Sequence, residues 1–235
     1  MEISTITARL LKEFTLVNIY GKAGTGKTTY ALQLLSDFLP ENDSPIPFEP
    51  TFIWVQASDK FPKKRLIEMY KGDRELLQYL QTHIMVYPKF RITSYDGLCS
   101  QLIQLSQKQQ KLPFIPTAII IDNISHYLRL EISRYDDVSL ITALMDDFFD
   151  TVIIPLVFYC GRRDISLILI HEVSYNPKQD KTVMFNQNLF SNLKSLNIKL
   201  ETHPVTNTQK ISFNYQNYSK TYRYNLRNTG IELRT

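Results

Sequence analysis

Cysteine is nearly absent: Cys99 and Cys160 are the only two in 235 residues, and no C-x-x-C spacing occurs. That excludes a disulfide framework or a thiolate metal cage and suits a reduced, cytoplasmic setting. Long apolar runs are missing too. The longest, near residues 151–160 (TVIIPLVFYC), falls far short of the ~20 residues needed to span a bilayer, so no membrane partner is expected. The opening MEISTITARLLKEF carries acids and lacks the apolar centre of a signal peptide. Charge is only mildly one-sided, at +4, which permits nucleic-acid contact without demonstrating it. Glycine is scarce, with 7 residues in all. Three of these, Gly21, Gly24 and Gly26, fall within one short stretch.

That stretch, Gly21-Lys22-Ala23-Gly24-Thr25-Gly26-Lys27-Thr28-Thr29, matches the phosphate-binding pattern G-x-x-x-x-G-K-[ST] in full. It has the right setting, between a buried strand over residues 14–20 and an amphipathic helix from Thr28 to Phe38. The glycines let the backbone turn tightly with its N–H groups inward, and the helix start adds unpaired N–H groups and the positive end of its dipole. Lys27 then reaches the outer phosphates and the Thr28 hydroxyl ligates Mg²⁺.

With 43% hydrophobic residues the chain can bury a sizeable core as one α/β domain. Strand and helix patterns alternate, which favours a mostly parallel sheet flanked by helices. Strands are expected at 52–55, 84–87, 117–122 and 166–173, and helices at 63–70, 74–82 and 96–109. A Pro-rich connection covers residues 39–50. A long helix is expected from Asp137 to about Ile154, ended or kinked by Pro155. Residues 174–188 read as a polar loop. The segments 197–202, 210–216 and 221–226 alternate like antiparallel strands, giving a β-rich C-terminal part at 195–235 after a short lead-in at 1–13. Between residues 201 and 235 cations outnumber acids, which reads equally as a solvated surface or as a nucleic-acid contact.

Asp122 ends the apolar strand Ala118-Ile119-Ile120-Ile121, at the carboxyl edge where open α/β sheets bind ligands. There it is the natural partner of Thr28 on Mg²⁺; the plainer alternative is an Asp that caps the following turn. Hydrolysis requires a group that orients water. Asp59, after the second strand, is the nearest acid, and an ordinary loop or capping role suits it equally.

Four segments together, FTLVNIYGKAGTGKTTYALQLL, TAIIIDNISHYLRLE, SLILIHEVSYN and YRYNLRNTGIEL, resemble the RecA/RadA recombinase superfamily, and within it the short archaeal RadB paralogues. The resemblance implies a RecA-like P-loop ATPase core spanning 1–235, α/β in class, with antiparallel strands at its C-terminal edge. It implies ATP and Mg²⁺ as cofactors, single-stranded DNA as a partner, and a role in homologous recombination and DNA repair beside a recombinase or other repair protein. By position, Gly21 to Thr29 would hold the phosphates and Asp122 the Mg²⁺. The loop after Val173, with Tyr175, Asn176, Lys178, Gln179 and Lys181, would face DNA, its cations suiting phosphates and its ring suiting base stacking. Arg129 and Arg134 are further DNA-facing candidates, and a plain solvated loop is the alternative.

The chain also departs from the family. Where the family carries Asp-x-Glu with a catalytic Glu, this sequence has Gln56-Ala57-Ser58, with Asp59 one place late. Where the family carries Asn-Gln to sense the γ-phosphate, His171-Glu172 stands. A Glu there would be repelled by a triphosphate unless neutralised, or would itself supply the missing carboxylate, while His171 reads more simply as a satisfied buried histidine. The family's basic run near the penultimate strand is replaced by Asn214-Tyr215-Gln216-Asn217-Tyr218, with Lys220 and Arg223 nearest. No Phe-x-x-Ala polymerisation signal precedes the core. The expectation is a chain that binds ATP and hydrolyses it slowly or not at all. Two alternatives differ from it: a regulatory or scaffolding ATPase that acts through proteins without DNA, and a P-loop kinase for a small molecule, whose Arg-rich lid has no counterpart beyond Arg162-Arg163.

Overall fold

A computed structural model describes residues 3–39, 49–107, 114–177, 180–203 and 205–234. Five apolar segments alternate with helices and pair in parallel. They are β1 (Leu16–Gly21), β2 (Phe52–Gln56), β3 (Ile84–Tyr87), β4 (Ala118–Asp122) and β5 (Ser166–His171). A hairpin of β6 (Val173–Asn176) and β7 (Lys181–Met184) follows. Then come β8 (Ser195–Thr202), β9 (Gln209–Tyr215), β10 (Tyr218–Arg227) and β11 (Gly230–Leu233). Nine strands form one sheet in the order β11-β10-β9-β8-β1-β5-β4-β2-β3. The sheet is parallel from β8 to β3 and antiparallel from β8 through β11.

Helices cover both faces of the parallel part, and this is why its strands are apolar without alternation. On one face Val17, Ile19, Trp54, Ile120 and Ile168 pack with α1 (Ile3–Leu11), α2 (Lys27–Asp37), α3 (Lys63–Tyr70) and α4 (Arg74–His83). On the other, Ile53, Val55, Ile119, Leu167 and Leu169 pack with α5 (Tyr95–Ser106), α6 (His126–Ile132) and α8 (Ile154–Gly161). The pattern changes at β8. Leu196, Ile198 and Leu200 stay buried, while Asn197, Lys199 and Glu201 alternate with them and line a polar cleft of about 760 Å³ with Ser212 and Asn214 of β9. One-sided burial is what an antiparallel sheet edge allows.

Several expected boundaries are corrected. Within the lead-in, Ile3–Leu11 forms helix α1, with Ile3, Leu10 and Leu11 buried. Helix α5 ends at Ser106, short of the expected 109, and residues 108–113 lie outside the described ones, as do residues 40–48 of the Pro-rich connection. Helix α6 was not expected. The long helix begins as α7 (Val138–Phe148), widens to a π-helical turn over Phe149–Ile153 and continues as α8. Pro155 neither ends nor breaks it: the wider turn absorbs the missing N–H and the ring's clash with the preceding turn. The described residues of the expected 174–188 loop are largely ordered into strands and a helical turn. They form most of the β6–β7 hairpin and α9 (Gln187–Phe190), anchored by buried Met184 and Phe190.

Candidate nucleotide-binding site

Strand β1 runs between β5 and β8, so its end delivers Gly21 to the middle of the sheet's carboxyl edge. Gly24 and Gly26 take φ of 79° and 90°, a left-handed backbone that side chains resist. Gly21 is needed for closeness, since a Cβ there would run into the carbonyl oxygen of Leu200. The Lys27 ammonium donates to the carbonyls of Gly21 (2.8 Å) and Lys22 (3.0 Å), spanning the loop from inside. Burial pulls the Lys27 pKa down, while Asp122 and Glu172 act to raise it.

The Thr28 hydroxyl donates to Oδ2 of Asp122 at 2.9 Å. Burial raises the Asp122 pKa to about 6, with the Thr28 bond and the Lys27 charge pulling down and Asp59 pushing up. Among the described residues no group of three His, Cys, Asp or Glu side chains is arranged to cage a metal. One hydroxyl and one carboxylate side by side suit a cation such as Mg²⁺, which takes its other ligands from phosphate and water.

The C-terminal strands complete the cradle, and no sequence signal announced this. The Tyr224 hydroxyl of β10 donates to the Thr25 carbonyl at 2.6 Å. Leu226 abuts Gly26, where a Cβ would come within 2.9 Å of it. Arg65 of α3 donates to Thr29 Oγ1 (3.1 Å) and to the Arg227 carbonyl (2.6 Å). Gln33 of α2 exchanges bonds with the Ile231 backbone at 2.7 and 3.1 Å.

Glu172 sits just past β5 and is fully engaged. Arg129 reaches its Oε2 at 2.8 Å, while the Asn123 amide at 3.1 Å and His126 at 3.4 Å reach Oε1. Its N–H donates to Ser125 Oγ at 2.8 Å. Arg129 also donates to the Val173 carbonyl at 2.9 Å and lies over the Phe185 ring. Helical spacing of His126 and Arg129 aims both at Glu172, a signal present in the sequence once α6 is recognised.

The other candidates are dispersed. Asp59 is exposed, on the rim of a cavity shared with Lys60 and Lys63. His171 is buried, bonded to Asn18 at 3.0 Å, and held neutral by burial that pulls its pKa to about 3. Arg134 lies beyond α6 and pairs with Glu131 at 2.8 Å. In the hairpin, Tyr175 is exposed and donates to Asp180 at 2.6 Å, while Asn176 lies opposite the exposed Lys181. Lys178 and Gln179 lie outside the described residues.

A family model described as the NB-ARC domain matches residues 1–82. That family is also one of P-loop NTPases. No curated protein matches the chain. In three dimensions the chain is similar to a solved structure titled "Crystal structure of the RadB recombinase", with a TM-score of 0.66 and 18% identity over 92% of this chain and 89% of that one. Likeness at that identity speaks for the fold. The chain has a RecA-like P-loop fold, an α/β core with a large, mostly parallel sheet and antiparallel strands at its C-terminal edge.

Proposed function

We propose that this chain binds ATP with Mg²⁺ at Gly21–Thr29 and Asp122, binds single-stranded DNA, and assists homologous recombination or repair as a RadB-like paralogue with slow or absent hydrolysis. The observation that carries the reading is the convergence of the Lys27 ammonium, the Thr28 hydroxyl and the Asp122 carboxylate beside a loop of left-handed glycines. Bound Mg²⁺ would neutralise phosphate charge; Thr28 and Asp122 would hold it, and the loop N–H groups with Lys27 would hold the phosphates.

Slow hydrolysis follows from what surrounds the two carboxylates proposed for catalysis. Glu172 is committed to Arg129, Asn123 and His126, and Asp59 is exposed at a rim. Neither stands as an uncommitted base held at the phosphate loop. DNA contact is supported by the exposed Tyr175 and Lys181 on the hairpin and by Arg134 beyond α6. The fold's likeness to a recombinase agrees with it. Steady-state ATPase assays with and without single-stranded oligonucleotide test this reading. Turnover close to the background is the expected result; rapid turnover lost in Lys27→Ala would contradict slow hydrolysis. Oligonucleotide affinity that falls steeply with salt separates it from a regulatory ATPase that acts only through proteins.

A further inference from the structure

Two segments at the carboxyl ends of β2 and β3, the first running into α3, carry cations interleaved with aromatic rings: Lys60-Phe61-Pro62-Lys63-Lys64 and Lys89-Phe90-Arg91. Gln56 ties them together, its amide donating to the Pro88 carbonyl at 2.7 Å and its carbonyl accepting from the Phe61 N–H at 3.2 Å. Phe61 is fixed edge-on against buried Trp54 at 5.4 Å. Between the two segments lies a cavity of about 300 Å³, lined by Lys60, Lys63, Lys89 and Arg91 with Asp59 as its one carboxylate.

These cations have no structural task. None of the four takes part in an ion pair among the described residues, whereas Arg65, two residues past Lys63, is held by Glu68 at 3.2 Å. Helix α3 opens on Lys63-Lys64-Arg65 with no acid in its first turn. Cations there oppose the helix dipole, and a broken local rule without a structural gain marks a functional place. Phe90 stands 60% exposed between Lys89 and Arg91. A small anion has no use for an exposed ring, whereas a strand of unpaired bases stacks on one while its phosphates meet the flanking cations.

We propose that this cavity and the Lys89-Phe90-Arg91 loop form a seat for single-stranded nucleic acid, separate from the hairpin. The inference rests on the nucleic-acid reading above and gives it a second location. Asp59 lies in the same cavity, and the N–H of Ser58 just before it donates to the Asp122 carbonyl at 3.2 Å, so a strand seated here adjoins the nucleotide site.

Fluorescence anisotropy with a labelled oligothymidylate and the full chain, across a salt series, tests it. Lys89→Glu and Arg91→Glu are expected to weaken binding and to reduce the log–log salt slope by about 0.7 for each lost phosphate contact. Phe90→Ala is expected to weaken binding about tenfold at unchanged slope, with Phe90→Tyr restoring it. All three positions are exposed, and unchanged melting temperatures confirm folding. Binding that survives these changes but is lost in Lys181→Glu would overturn this seat and leave the nucleic-acid reading standing. Absence of oligonucleotide binding by the unaltered chain at low salt would overturn both. Displacement by inorganic phosphate at matched ionic strength, with Phe90→Ala silent, would mark a small-anion pocket and overturn the seat.

Discussion

The Tyr224 hydroxyl donates to the Thr25 carbonyl across 2.6 Å, joining the penultimate strand to the phosphate loop over 199 residues of sequence. The loop's shape therefore depends on the C-terminal strands. Tyr224→Phe removes the donor and leaves a buried carbonyl unpaired, at a cost of about 1–3 kcal/mol. Thermal unfolding is expected to show that loss, and nucleotide affinity is expected to fall with it. Unchanged affinity in a destabilised protein would show that the strands support the fold without shaping the loop.

Glu172 lies close enough to the loop for its charge to act on Lys27. Glu172→Gln removes a negative charge that a triphosphate must approach, while the Asn123 amide keeps an acceptor. Several-fold tighter ATP binding is expected by calorimetry, with turnover as slow as before. A turnover that falls by orders of magnitude would instead make Glu172 the group that activates water.

Part of the pH dependence of stability is set far from the site. The Asp37 carboxyl, at the end of α2, accepts from the Thr7 hydroxyl of α1, and burial raises its pKa from 3.8 to about 7. The folded chain keeps a proton that the unfolded chain releases near pH 4, so this contribution is fully present below the unfolded value and is lost as pH rises through about 7. His171, whose pKa burial lowers, contributes with the opposite sign, so the comparison is with the unaltered chain at each pH: Asp37→Asn is expected to gain on it as pH rises from about 4 to 8, by about 2 kcal/mol on the alkaline side for this partly exposed group. A difference between Asp37→Asn and the unaltered chain that stays constant with pH over that range would contradict the assignment.

The parallel half of the fold was legible because its strands are mostly apolar runs, broken only by Asn18 in β1, set between helical patterns. The site's first half was legible for a local reason: nine consecutive residues encode the loop, and Asp122 ends a strand that can only be buried. What escaped was non-local or short. Helix α6 is only seven residues long, and the hairpin is a pair of four-residue polar strands. The π-helical turn before Pro155 answers a local clash that periodicity does not register. Tyr224, Leu226 and Arg65 reach the loop through sheet order, which no spacing along the chain reveals.

Calorimetric titration of ATP with Mg²⁺ into the nucleotide-free chain, beside Lys27→Ala, tests the central claim most directly. Saturable binding by the unaltered chain that is lost in Lys27→Ala, and that depends on Mg²⁺ unless Asp122 is changed to Ala, is the predicted result. Absence of heat from any nucleoside triphosphate on folded protein, or equal affinity in Lys27→Ala, would contradict it.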